Sequence, residues 1–163
     1  MRVTGYKWLQ VDTSRRYPGG AALLSTYDAR QWTRGVNQAS LAPLSDADWG
    51  FNAYTSARRA RWNGQVYGTA LVGVVGFGKV ALFDRGWRAE KAEIVAICIP
   101  RPGRYRVVSD LPLADVTARL RVAYDVPVFR SLRNLRKETE RWGVSAKLLL
   151  GGDPPPAEVR DGS

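Results

Sequence analysis

The stretch Gln65–Phe83 constrains the fold most: it is a long apolar run of strand-forming residues cut by Gly68, Gly73, Gly76 and Gly78. Glycines inside a strand pattern mark bulges and sharp bends, where a sheet curls on itself. Two strongly bent strands of a small barrel are therefore expected here. Asn63-Gly64 supplies a turn before the run and Asp84-Arg85-Gly86 a turn after it. Beyond that turn, Trp87–Glu93 leads into Ile94-Val95-Ala96-Ile97-Cys98-Ile99, an apolar run that reads as a buried strand closed by Pro100.

The flanking segments add strands first and helices later. Residues 2–11 alternate Val3, Gly5, Lys7, Leu9 and Val11 against Arg2, Thr4, Tyr6, Trp8 and Gln10, which predicts a strand. Tyr17-Pro18-Gly19-Gly20 predicts a tight turn, and Ala21–Tyr27 a strand pairing back. Period is lost over Asp28–Asp48, where a long loop with a short helical turn is expected; Trp49–Tyr54 then reads as a strand leading into a short helix or basic loop. Leu113, Val116, Leu120 and Ala123 recur at helical spacing, and Asp125-Val126-Pro127 breaks that helix. Phe129, Leu132, Leu135 and Trp142 suggest a second helix stopped by Gly143. The fold class expected is α+β: a small, strongly bent antiparallel β-barrel or sheet over residues 1–109. A helical C-terminal pair over 110–150 packs on it, and the Gly- and Pro-rich residues 151–163 form a flexible tail.

Composition excludes more chemistry than it suggests. The 163 residues include no histidine and one cysteine, which removes histidine-based catalysis, disulfides and Cys/His zinc sites. Cys98 lies in the apolar run with no adjacent cation, and reads as an inert core thiol. Glu90 with Glu93 and Asp46 with Asp48 are the nearest approach to carboxylate pairs, and read as ordinary solvated groups. No cofactor and no metal is implied, and the chain is expected not to be an enzyme. No run reaches the 18 or so apolar residues of a spanning helix, and the N-terminus lacks the apolar core of a signal peptide. A cytoplasmic location without membrane contact is expected, the host cytoplasm if a phage encodes the chain.

Charge carries the functional signal. Against 15 carboxylates stand 25 basic groups, a net charge of +10. The excess concentrates in residues 51–109, with ten basic and three acidic groups. Such a surface attracts polyanions, nucleic acid or an acidic protein face. Arg58, Arg59 and Arg61 stand among Tyr54, Trp62 and Tyr67; Arg101, Arg104 and Arg106 surround Tyr105. Arginines hold phosphates while aromatic faces stack on bases, which makes Trp62 and Tyr105 the stacking candidates. Arg130, Arg133, Lys137 and Arg141 line a face of the second C-terminal helix as a further contact surface.

Two motif readings compete with these. Gly73-Val-Val-Gly76-Phe-Gly78-Lys79 invites a phosphate loop, but it is not GxGxxG, and no Ser or Thr follows Lys79. The helical pair invites a helix-turn-helix reader, but Val122–Pro127 has no glycine, and Ala123–Val128 also fits a helix end running into a strand. A helical pair with a solvated basic face fits better.

The segments Gly5–Trp8, Trp32–Asn37, Gly50–Tyr54 and above all Gly78–Ala92 resemble an uncharacterised family of small proteins from GC-rich bacteria and their phages. The resemblance spans residues 5–100. It implies a bacterial or phage context and a single fold, with no established activity. Members often carry cysteines before the Gly50 block and a histidine where Phe83 stands. This chain has Trp49 and Phe83 there, so a metal site on those positions is absent. The bent strands are also similar to PUA-like or SH3-like small barrels, which often bind RNA or modified DNA bases. The function expected is non-catalytic binding of a polyanion, nucleic acid first. The alternative is a phage structural or host-interaction protein that uses the same basic, Trp-rich surface.

Overall fold

In the computed structural model, residues 1–26, 28–39, 50–64, 69–99 and 111–149 are described here, with backbone only for 61–64. The strands are β1 (Val3–Asp12), β2 (Ala22–Ser25), β3 (Gln31–Trp32), β4 (Val36–Gln38), β5 (Phe51–Tyr54), β6 (Thr69–Phe83), β7 (Gly86–Cys98), β8 (Val128–Phe129) and β9 (Val144–Ser145). The helices are α1 (Ala57–Gly64), α2 (Leu113–Tyr124), α3 (Leu132–Glu140) and α4 (Ala146–Leu149). The fold is mixed α+β, with all nine strands in one sheet.

The glycine-rich run forms one 15-residue strand, β6, where two were expected. Bulges explain the difference: its pairing with β7 shifts register between Gly73 and Val74 and again between Phe77 and Val80. The strand bends at these points without breaking. In the second bulge Gly78 adopts φ 77°, and the backbone N–H of Lys79 donates to Glu90 Oε2 at 3.2 Å. These glycines shape a sheet and open no phosphate loop.

β6 pairs antiparallel with β1 on one side and β7 on the other, β7 pairs with β5, and β5 meets β1 at Tyr6↔Tyr54. The four strands form a ring, closed on its last side by that one residue pair. Inside it lies Trp87, whose Nε1 donates to Thr4 O at 3.0 Å. A Cβ on Gly5 or Gly76 would collide with the Trp87 indole, so glycine at both positions makes room for that ring. Val3, Leu9, Val72, Val74, Ile94 and Ile97 complete this interior with Val116, Leu120 and Tyr124 of α2. The Tyr124 hydroxyl donates to Trp32 O and accepts from Leu23 N, both at 2.6 Å. Burial pushes the phenol up to about 12, so it remains protonated.

The other face of β1 is buried too. Tyr6 and Trp8 join Leu71, Ala96 and Cys98 beneath Ala57 and Ala60 of α1 and Leu135 of α3. Trp8 Nε1 donates to the Ala60 carbonyl, and Thr139 of α3 occupies the space that a Gly73 side chain would need. Cys98 is buried, and burial raises its thiol to about 11, with Arg130 pulling weakly the other way.

The C-terminal third departs from a simple helical pair in three ways. β8 pairs parallel with β7, and β9 pairs parallel with β1, so the region extends the sheet and the sheet is not wholly antiparallel. The link between α2 and α3 runs through β8 after Asp125 enters the left-handed region at φ 53°, and the two helices bury their apolar faces in different clusters. Finally, α3 ends at Glu140, leaving Trp142 43% exposed beyond it. Within the expected loop of 28–48, β3 pairs with β2 and β4 pairs with β7. Residues 40–49 and the expected tail at 151–163 lie outside the described residues.

Candidate functional site

Helices α1 and α3 rest on the same sheet face, with a cavity of about 400 Å³ beside them. It is lined by Tyr6, the segment Thr55–Arg59, Asp84, Arg136, Glu140, Ser145 and Lys147. Local chemistry fixes each wall. Ser56 caps α1, its Oγ accepting from the Arg59 N–H at 3.1 Å. The cap is anchored from the neighbouring hairpin, since Thr55 N donates to Arg85 O at 3.1 Å and Arg59 Nη1 to Asp84 O at 3.0 Å. On α3, Leu135 and Thr139 face the sheet, which turns Arg136 and Glu140 toward the cavity. β9 carries Ser145, and Lys147 follows in α4.

The lining holds four cations, Arg58, Arg59, Arg136 and Lys147, against the carboxylates of Asp84 and Glu140. Arg136 Nε lies 4.0 Å from Glu140 Oε1, a loose exposed pair. Tyr6 is 3% exposed, and its hydroxyl has no hydrogen-bond partner among the described residues. Burial first, and Glu140 second, raise its pKa well above the ordinary phenol value, while Arg136 opposes them; the group is a protonated donor.

The expected site residues do not share one setting. Arg58 and Arg59 are exposed on the first turn of α1 and line the cavity. Arg130, Arg133 and Lys137 are exposed with no ion-pair partner among the described residues; Arg133 and Lys137 face solvent, opposite the buried side of α3. Arg141 is held by Glu138 at 3.1 Å. Arg61 and Trp62 belong to α1, but their side chains are not described, and Arg101, Arg104, Tyr105 and Arg106 lie outside the described residues.

Tyr6, Ser56, Arg136 and Lys147 escaped the sequence reading. For Arg136 a signal existed: reading Thr139 as part of the buried stripe with Leu135 places Arg136 on the flank of α3. Of the exposed aromatics, Phe83 is 51% exposed at the hairpin tip, next in sequence to Asp84 of the cavity wall.

Lys7 is the sole buried charged side chain among the described residues, and it belongs to a different place. It shares the ring-facing side of β1 with Val3 and Leu9, and its Nζ donates to Asn52 Oδ1. Burial lowers its pKa to about 8, with Asp28 opposing. No group of three His, Cys, Asp or Glu side chains suited to a metal ion occurs among the described residues. No helix among them is long and apolar enough to cross a membrane.

No family model, curated protein or solved structure matches the chain.

Proposed function

We propose that this protein is a non-catalytic binder of an anionic polymer, nucleic acid foremost, with the groove between α1 and α3 as the principal contact. One observation supports the reading above the others: two chain segments far apart in sequence contribute Arg58, Arg59, Arg136 and Lys147 to a single concavity. Positive charge gathered in a cleft focuses the field that draws in a polyanion. Arg133 and Lys137 on the outer side of α3 extend the attraction beyond the cleft, and Phe83 offers a stacking surface at its edge.

Fluorescence anisotropy with a labelled single-stranded oligonucleotide tests this directly. Four phosphate contacts predict a loss of roughly 50- to 150-fold in affinity between 50 and 200 mM salt. Absence of binding at the lower salt rejects the reading.

The second reading, a phage structural or host-interaction protein, draws on a different surface. Trp142, Val144, Leu148 and Leu149 are 40–66% exposed around β9 and α4, an apolar composition suited to a protein interface. Binding to a host protein that survives nuclease treatment, and that Trp142→Ala weakens, favours this alternative.

A further inference from the structure

We propose that the α1 end of the groove is a seat for a phosphomonoester, the terminal phosphate of a strand or of a free nucleotide, formed by the first-turn N–H groups of α1, the Tyr6 hydroxyl, Arg58 and Arg136. The proposal deepens the preceding reading and rests on it for the identity of the ligand.

Three observations converge on this seat. The N-terminus of α1 faces the cavity, and Ser56 takes only the Arg59 N–H. The N–H groups of Ala57 and Arg58 keep no acceptor among the described residues, and a helix N-terminus in this state attracts an anion. Independently, Tyr6 of β1 is 97% buried, lines the same cavity and has an unpartnered hydroxyl. No buried side-chain polar atom among the described residues lacks a partner, so the Tyr6 oxygen itself reaches the open space of the cavity, where it can donate to an acceptor from outside. Charge supplies the third observation, since four cations and two carboxylates leave the lining at +2. That value matches a phosphomonoester, which carries about −1.5 to −2 at neutral pH, better than a diester with its single charge.

Size agrees with the assignment. The cavity, about 400 Å³, falls within the range of about 300–1,000 Å³ usual for small-ligand sites. Glu140 opposes an anion in the seat, and its loose pair with Arg136 at 4.0 Å offsets part of that charge.

The test compares oligonucleotides of one sequence ending in a 5′-phosphate, a 3′-phosphate or hydroxyls only, with a nucleoside monophosphate and its nucleoside as competitors. Titrations use the full chain at low salt, in wild type, Tyr6→Phe and Arg136→Gln. One terminal phosphate is expected to tighten binding about tenfold, the scale of a charge-assisted hydrogen bond. Tyr6→Phe, which keeps the ring and removes the hydroxyl, is expected to abolish most of that gain, read as the ratio of phosphate-ended to hydroxyl-ended affinity within each variant. Arg136→Gln, on an exposed helix face, is expected to weaken binding of every end and that of the phosphate-ended strand further, so the same ratio is read if Tyr6→Phe lowers stability. Equal affinity for all ends overturns the seat, and salt-sensitive binding of all three would leave the polyanion reading standing. A gain undiminished in both variants overturns the placement. Tyr6-dependent binding of the nucleoside monophosphate without binding of any oligonucleotide retains the seat and overturns the polymer reading.

Discussion

The two faces of β1 are both buried, yet they are packed by different means and toward different ends. Toward the ring, Gly5 and Gly76 give up their side chains so that Trp87 can fill the centre, and the polar atoms of Trp87 and Tyr124 are bonded to backbone. Toward the helices, Tyr6 and Trp8 meet small residues, Ala57 and Ala60, which let α1 sit low on the sheet. Trp8 is bonded there and Tyr6 is not. One face is closed on itself, while the other holds two helices so that their charged flanks share a concavity. An aromatic residue with a satisfied polar tip serves the architecture, and the one with an open tip marks where another molecule fits.

The contrast is broken most forcefully from the inside. Trp87→Ala is expected to cost about 3–5 kcal/mol in urea unfolding, because the glycines around the indole have nothing to collapse into the space. A loss below about 1 kcal/mol would show that the ring is not the centre of stability. Gly73→Val acts on the helix face by driving Thr139 and α3 outward, at an expected cost of about 1–3 kcal/mol. It is also expected to weaken anion binding, since Arg136 moves with the helix; unchanged affinity would separate the groove from the docking of α3.

Lys7 offers a gentler test of the ring side. In the folded chain its amine titrates at about 8 against the ordinary 10.5, so the unfolded chain binds more protons between those values. Its contribution to stability is therefore unfavourable at low pH and is relieved as pH rises through that window. Cys98, raised from 9.0 to about 11, acts in the opposite sense above pH 9, so the informative quantity is a difference between two pH profiles. Lys7→Met is expected to be more stable than wild type below pH 8, with the advantage shrinking toward pH 10. Parallel profiles would contradict the buried, partly desolvated amine. The smallest effect is expected on the solvent side of α3, where Arg133→Ala should change stability by no more than about 0.5 kcal/mol by thermal denaturation.

Elements with strong local signals were legible in the sequence. The alternation of residues 2–11 became β1, the Asp84–Gly86 turn joined β6 to β7, and the spacing of Leu113, Val116 and Leu120 became α2. What failed depended on tertiary context. β8 and β9 are two residues each, too short to show a period, and exist because β7 and β1 have free edges there. Trp142 reads as core by hydrophobicity and is exposed, whereas Thr139 reads as surface and is buried because Gly73 opposite it has no side chain. That exchange turned the expected contact face of α3 away from the groove. In the site, the arginines at 58 and 59 stood out as a charge cluster. Tyr6 did not, because nothing within a strand pattern distinguishes a phenol with an open hydroxyl from one that is satisfied.

Charge reversal with matched net charge tests the central claim most directly. Arg58→Glu/Arg136→Glu and Arg133→Glu/Lys137→Glu each change the net charge by four units, the first pair in the groove and the second on the outer face of α3. Anisotropy titrations with a single-stranded oligonucleotide are expected to show loss of binding for the groove variant, by at least tenfold more than for the outer-face variant. Equal losses would show that total charge alone governs the attraction and that the groove between α1 and α3 has no special part in it.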